Sequence, residues 1–217
     1  LLNLFTRTRA NVLPAVPTLR SAIARADSTT RAQLASLQVA ISGGAALPNE
    51  VRKAVAEKSS AILAEGYGLT EASPVVCCAA LRKPGKPMSI GLPLPGTDIR
   101  FVNLESGEPV GIGEDGELQV KGAQVMAGYY NDPDATRDAF MDGWLRTGDV
   151  GHMDEDGYVF LVDRIKDLII CSGFNVYPRT IEEALMAHGA VEETNVIGVP
   201  DDYRGEAVLD GAASADA

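Results

Sequence analysis

The sequence predicts a mixed α/β (α+β) protein: an α/β layer first, a β-rich middle, and a small α+β segment last. Three observations carry this. A strand–helix–strand alternation runs through residues 37–64, the pattern of a layered sheet that presents ligands at its strand ends. Four prolines and three glycines stand between Pro84 and Gly96, a density that blocks long regular structure, and short strands with Asp-Gly turns follow it. Charge divides as well: residues 1–100 hold 12 Lys/Arg against 6 Asp/Glu, and residues 101–217 hold 7 against 24, for a net charge of −11.

In chain order, residues 1–36 read as helical, interrupted by Pro14 and Pro17. Residues 37–41 read as a short buried strand closed by Gly43 and Gly44. Leu47, Val51, Ala54 and Val55 recur at helical spacing, which predicts a helix over 47–58. Residues 61–64 form a second strand running into Glu65-Gly66-Tyr67-Gly68. Residues 99–104, 116–120 and 158–162 are strand candidates. Gly113-Glu114-Asp115-Gly116 and Asp154-Glu155-Asp156-Gly157 are predicted hairpin turns, because Asp-Gly tolerates the positive φ such turns need. Residues 168–171 are β-prone. Pro178 opens a helix with Ile181, Ala184, Leu185 and His188 on one face. Residues 193–199 form a strand ended by Pro200, and the small, polar residues 210–217 are expected to be a frayed end.

Composition excludes several function classes. With 46% apolar and 23% charged residues the chain is neither disordered nor fibrous. No apolar run approaches the roughly 20 residues of a membrane-spanning helix, and no secretory leader follows Leu1. The acidic balance argues against nucleic-acid binding, which needs a basic footprint; many of the acidic groups are turn residues or solvated helix positions. Cys77, Cys78 and Cys171 form no CxxC pair, which fits a reducing compartment, the cytoplasm. His152 and His188 alone make no zinc cluster.

Four stretches could carry chemistry. Ser42-Gly43-Gly44-Ala45-Ala46 lies between a strand and a helix, where small residues let the backbone approach a flat ring or an anion; alone it is equally a simple turn. In Glu65-Gly66-Tyr67-Gly68-Leu69-Thr70-Glu71 an aromatic face could stack on a base, a hydroxyl could meet a phosphate and a carboxylate could hold Mg²⁺. The same stretch is also a strand-to-helix turn capped by Thr70. In Trp144-Leu145-Arg146-Thr147-Gly148-Asp149-Val150-Gly151 a buried-looking Trp leads to one Asp between glycines, suited to ribose hydroxyls or to a tight turn. Residues 163–175 place Asp163, Arg164, Lys166 and Asp167 between two β-prone runs, either a connection between units or an exposed hairpin.

Taken together and in order, GGA, YGLTE, GELQVKG, VMAGYYNDPDAT, WLRTGDVG and DRIKDLIICSGFNVYPRTIEE resemble the signature of the adenylate-forming superfamily. The resemblance is strongest to its AMP-forming acyl-CoA synthetases, the fatty-acid and aryl-acid CoA ligases, and spans residues 37–208. It implies a carboxylic acid, ATP and coenzyme A as substrates, with Mg²⁺: acyl-AMP and pyrophosphate form first, then CoA displaces AMP. It implies roles by position. Gly44 and Ala45 lie against adenine; Glu65, Gly66, Tyr67, Gly68, Leu69 and Thr70 form the nucleotide loop, with Tyr67 by the base and Thr70 at the phosphate. Glu71 is the Mg²⁺ carboxylate. Asp149 holds the ribose hydroxyls with Arg164 as basic partner, and Lys166 is the hinge. Ser172, Gly173 and Phe174 line the pantetheine tunnel. Residues 1–97 would then be the C-terminal part of the α/β nucleotide-binding subdomain and 98–164 a β-rich, barrel-like subdomain. Residues 165–217 would be an incomplete mobile C-terminal domain after the hinge.

The departures from that pattern set further expectations. The family's Ser/Thr- and Gly-rich phosphate loop with its Lys, and the C-terminal Lys of the adenylation step, match nothing in these 217 residues. Lys121 stands where the pattern usually has Arg. The chain is therefore expected to be the later part of a longer enzyme, inactive in adenylation by itself, and to self-associate through apolar surface left exposed. A non-catalytic adenylate-binding module, or an adenylation enzyme with an acceptor other than CoA, remain as alternatives. Asn175 favours the CoA-ligase branch, since peptide-synthetase domains usually carry a basic residue there. The small strip at Gly43 admits a long or bulky acid, with a fatty acid expected, without choosing between a fatty chain and an aryl ring.

Overall fold

The structure is a computed structural model and describes residues 2–26, 31–44, 49–81, 85–188 and 190–214. Contacts divide the chain into two compact units: residues 1–99, 120–145 and 153–160 form one, and residues 100–119, 146–152 and 161–217 the other.

The first sheet has five strands in sequential order: β1 (Val12–Ala15), β2 (Val39–Ser42), β3 (Ile62–Gly68), β4 (Val75–Cys78) and β5 (Leu92–Pro93). β1, β2 and β3 run parallel, and β4 and β5 are added antiparallel. Helix α1 (Leu2–Thr8) precedes β1, and α2 (Pro17–Arg25) and α3 (Asn49–Lys58) lie in the β1–β2 and β2–β3 crossovers. Phe5, Ile23, Leu34, Leu37 and Ala40 form a buried cluster, with Leu13 and Leu63 packed against it. The expected βαβ unit is present, and the described part of the 47–58 helix is α3. The all-helical reading of residues 1–36 is corrected, because β1 is a strand and residues 31–36 form turns. Pro14 obscured it, yet proline is at home in an edge strand, and β1 is the edge of this sheet. Pro17 opens α2 rather than breaking a helix.

The second sheet has the order β10-β9-β7-β6, built from β6 (Thr97–Val102), β7 (Gly116–Gly122), β9 (Trp144–Met153) and β10 (Val159–Arg164), while β8 (Phe140–Met141) pairs with β9. Leu118, Val120, Leu145, Val150 and Val159 are fully buried. The predicted turn at Asp154 is present: Gly157 lies at φ +81°, and its N–H donates to the Asp154 carbonyl at 3.0 Å. Lys86 Nζ reaches two carboxylates of that turn, Asp154 at 2.5 Å and Asp156 at 2.6 Å, and pins residues 85–91 to it. The short helix α4 (Pro133–Ala139) has Asp132 as N-cap, its side chain accepting from the Ala135 N–H.

The third sheet has the order β12-β11-β14-β13, all antiparallel: β11 (Ile169–Cys171), β12 (Phe174–Val176), β13 (Val191–Asp201) and β14 (Gly205–Ser214). Helix α5 (Pro178–Met186) packs against β13. Two expectations are corrected here. The end of the chain is not frayed through Ser214, since β14 pairs with β13 from Gly205 to Ser214. Its small residues lack a hydrophobic pattern because a long hairpin partner, rather than burial alone, holds them. Pro200 does not end β13, which continues to Asp201 as an edge strand, where proline is tolerated.

Candidate functional site

In the first unit the candidate residues gather at the carboxyl ends of β2 and β3. Ser42 is paired in register with Glu65. Gly44, at φ +84°, sits in left-handed backbone that favours glycine. Ala45 lies outside the described residues. Glu65, Gly66, Tyr67 and Gly68 belong to β3 itself and not to a loop beyond it, which corrects the sequence reading. The strand lengthens because β4 pairs with it: Gly66 faces Cys78, Tyr67 faces Cys77, and an irregularity after Tyr67 brings Gly68 opposite Val75. Gly68 permits the closest approach, since a Cβ there would stand 1.7 Å from the Pro74 carbonyl oxygen.

Glu65 is buried and paired with Arg52 of α3. Burial lowers the Arg52 pKa from its ordinary value. Ser42 Oγ and the Nε of Arg52 itself are buried with no hydrogen-bond partner among the described residues. Beyond β3, Leu69 is extended and Thr70–Ala72 make a single 3₁₀ turn. Thr70 does not act as a side-chain cap: it stands inside the turn with its side chain exposed, and Ala72 is buried beneath.

Glu71 is held from a segment distant in sequence. Its carboxylate Oε1 accepts from the Tyr129 hydroxyl at 2.8 Å, and its carbonyl accepts from the Met126 N–H at 2.8 Å. Hydrogen bonding to Glu71, with a smaller contribution from burial, raises the Tyr129 pKa. Tyr129 is held in turn, since its N–H donates to Thr136 Oγ1 at 2.8 Å, while the Thr136 hydroxyl donates to the Asp132 carbonyl at 2.7 Å. No group of three or more His, Cys, Asp and Glu side chains among the described residues could hold a metal. With Oε1 taken by Tyr129, a single carboxylate of this kind is compatible with Mg²⁺, an ion commonly held by one or two carboxylates plus substrate phosphates.

The second unit holds the other candidates. Asp149 lies within β9 rather than in a loop, and Trp144, which opens that strand, is half-buried. The Asp149 N–H donates to Thr147 Oγ1 at 3.1 Å, and Thr147 donates to the Leu118 carbonyl at 2.7 Å. Arg164, at the end of β10, places Nε 3.3 Å from Asp149 Oδ1, so the structure brings these two together. Asp163 bridges the segment that follows: its Oδ1 accepts from the Arg164 N–H at 2.8 Å and its Oδ2 from the Arg179 N–H at 3.1 Å. Lys166 is exposed in the 3₁₀ turn Ile165–Asp167.

Ser172 and Gly173 form the two-residue turn of the β11–β12 hairpin, with Cys171 opposite Phe174. Their φ values of +54° and +83° are those of a primed turn matched to strand twist. All three residues, Ser172, Gly173 and Phe174, are exposed, and Phe174 is 74% accessible. No described helix is long and apolar enough to cross a membrane.

Sequence reasoning gave no role to Arg52 or Tyr129, and singled out Asp163 only as one of four charges between β-prone runs, without its bridge to Arg179. Tyr129 belongs to the VMAGYYNDPDAT motif, but its partner lies 58 residues away in the chain.

Residues 1–130 match the family described as AMP-binding enzyme, and residues 180–211 match the AMP-binding enzyme C-terminal domain. A long-chain-fatty-acid–CoA ligase of Bacillus subtilis is 44% identical over 207 residues, covering 95% of this chain and 37% of that protein. A long-chain-fatty-acid–CoA ligase of Yersinia pestis is 48% identical over 197 residues, covering 89% and 34%. The chain thus spans about a third of the length of these relatives. Among solved structures, ATP-bound MatB from Rhodopseudomonas palustris matches with a TM-score of 0.93 and 35% identity, covering 99% of this chain and 42% of that one. With the ordered motifs, the βαβ layer and these matches in agreement, the chain belongs to the AMP-binding enzyme family of adenylate-forming proteins.

Proposed function

We propose that the chain is part of an ATP-dependent, AMP-forming acid:CoA ligase that activates a fatty acid. The observation that carries the reading is the Asp149–Arg164 pair at 3.3 Å, with Asp149 13% and Arg164 58% exposed. A carboxylate has two acceptor oxygens and can receive both hydroxyls of a ribose, while the Arg fixes its orientation. The names of the relatives support the substrate class, and the ATP-bound neighbour supports the nucleotide.

In this reading a carboxylate oxygen of the acid attacks the α-phosphorus of ATP, the bond to the bridging oxygen breaks, and pyrophosphate leaves to give acyl-AMP. The CoA sulfur then attacks the acyl carbon, the thiol proton is lost, and AMP departs. Gly44 and Ala45 lie along adenine, Tyr67 beside the base, and the Thr70 hydroxyl toward the phosphate. Glu71 would give an oxygen to Mg²⁺, which when bound would neutralise phosphate charge. Residues 1–97 serve as the end of the nucleotide-binding subdomain, 98–164 as the β-rich subdomain, and 165–217 as the start of a mobile domain that turns at Lys166. Ser172, Gly173 and Phe174 then line the pantetheine path. A cytoplasmic setting suits ATP and CoA as substrates and the free thiols of Cys77, Cys78 and Cys171. Exposed Ile170, Phe174, Ile197 and Leu209 offer apolar surface for self-association of the isolated chain.

The test is ATP–pyrophosphate exchange over a panel of fatty and aryl acids, with CoA thioesters read by mass spectrometry. It is made on the whole ligase and on the 217-residue chain. Exchange and thioester formation are expected from the whole ligase with fatty acids, and no turnover from the chain alone. A whole protein that binds AMP but exchanges no pyrophosphate with any acid overturns the ligase reading in favour of an adenylate-binding module.

A further inference from the structure

The VMAGYYNDPDAT stretch is part of the motif order that resembles the adenylate-forming superfamily, yet none of its residues is among those expected to touch nucleotide, metal or CoA. Its side chains converge on one bond. Asp132 caps α4 through the Ala135 N–H at 2.9 Å. Thr136, one turn into that helix, donates its hydroxyl to the Asp132 carbonyl at 2.7 Å and accepts the Tyr129 N–H at 2.8 Å. Upstream, the Met126 N–H is bonded to the Glu71 carbonyl at 2.8 Å. Tyr129 is thus fixed at its backbone by α4, and its segment is tied to Glu71 three residues earlier. Its hydroxyl closes the arrangement on Glu71 Oε1 at 2.8 Å.

We infer that Tyr129 is a positioning residue for the metal-facing carboxylate: its hydroxyl holds Glu71 in the rotamer that presents its other oxygen to the divalent cation of the nucleotide. The inference rests on the reading of Glu71 as that carboxylate. A carboxylate on a one-turn 3₁₀ segment has several rotamers open to it, and a cation with few protein ligands loses affinity for each rotamer that points away. The Tyr hydroxyl donates and the carboxylate accepts, so the bond is charge-assisted and directional. It occupies one oxygen and leaves the second for the metal.

The experiment measures Mn²⁺, an EPR-visible substitute for Mg²⁺, binding to the whole ligase with a non-hydrolysable ATP analogue. Wild type, Tyr129→Phe, Glu71→Gln and the double variant are compared. Removing an outer-shell partner of a ligating carboxylate typically costs 10–100-fold in affinity, so Tyr129→Phe is expected to weaken Mn²⁺ about tenfold, at the lower end of that range. Glu71→Gln should weaken it at least as much, and the double variant no further than Glu71→Gln, because Tyr129 acts only through Glu71. Two results overturn the inference while sparing the role of Glu71: Glu71→Gln loses the metal but Tyr129→Phe stays within about twofold of wild type, or the two losses multiply in the double variant. Multiplying losses would mark Tyr129 as a residue of general fold stability. Unchanged affinity in Glu71→Gln would remove the metal role of Glu71 and this inference with it.

Discussion

Gly68 gives the sharpest test of how β3 and β4 are built against each other. A Cβ at this position would lie 1.7 Å from the Pro74 carbonyl oxygen, 2.7 Å from its carbon and 2.8 Å from Val75 Cα. Every atom it meets is backbone, so no side chain can rotate away. Restoring even a 3.0 Å contact moves the Pro74 carbonyl by at least 1.3 Å, the difference between 3.0 and 1.7 Å. That displacement opens the Gly68–Val75 register. Overpacking of this kind costs about 1–3 kcal/mol, and the strained ladder adds about 1 kcal/mol per weakened hydrogen bond. Gly68→Ala is therefore expected to lose about 3 kcal/mol. Gly66, two residues earlier on the same strand, is the control: its Cβ would stand 3.6 Å from the Cys77 carbonyl oxygen and 3.8 Å from Cys78 Sγ, ordinary contact distances. Gly66→Ala should cost less than about 1 kcal/mol, since a substitution that fits its space leaves a small effect. Urea denaturation followed by circular dichroism reads both variants. Equal losses, or a Gly68→Ala variant as stable as wild type, would refute the claim that β3 and β4 close on each other at this residue.

The remaining predictions concern charge and thiols. Hydrogen bonds to Asp154 and then Asp156 push Lys86 up to about 12, and the bond from Lys86 holds Asp154 below the usual carboxylate range. The stability this clamp adds over Lys86→Met is present above the ordinary Asp value and lost as pH falls through the depressed one. At the alkaline end it is present below the ordinary Lys value and lost as pH rises through about 12. Urea midpoints should differ by a constant amount between about pH 5 and 9 and converge below about pH 4; a difference that grows on acidification would contradict the clamp. Burial, and secondarily Cys78, pushes the Cys77 thiol up to about 12. Iodoacetamide at about pH 8 should accordingly modify half-buried Cys171 before Cys77, as followed by peptide mass spectrometry, and faster labelling of Cys77 would contradict its burial.

The parts of the fold visible in the sequence are those set by local pattern. Residues 37–41 anticipated β2 because their apolar run and the Gly-Gly stop are local signals, and Pro178 marked the start of α5 for the same reason. β1 escaped notice because Pro14 reads as a breaker unless the strand is known to be an edge, a property of the sheet and not of the segment. The run after Asp210 escaped notice because Gly211, Ala212 and Ala213 carry no hydrophobic signal; their order comes from pairing with β13. Asp149 stood out in the sequence as a candidate but not as part of a strand, since the glycines flanking it suggest a turn. The Tyr129–Glu71 bond and the Asp163 bridge to Arg179 join residues far apart in sequence, and no spacing rule reaches across such a separation.

Adenylate recognition is tested most directly by calorimetric binding of AMP and of a non-hydrolysable fatty acyl-AMP analogue to the whole ligase and its Asp149→Ala variant. Hydrogen bonds to a charged group contribute about 1.5–3 kcal/mol, discounted here because Asp149 retains some solvent access and Arg164 is largely exposed. Wild type is predicted to bind both ligands, with the acyl-adenylate the tighter, and Asp149→Ala is predicted to bind each about tenfold more weakly. Equal binding by wild type and Asp149→Ala, or no binding of either ligand by wild type, would contradict the account.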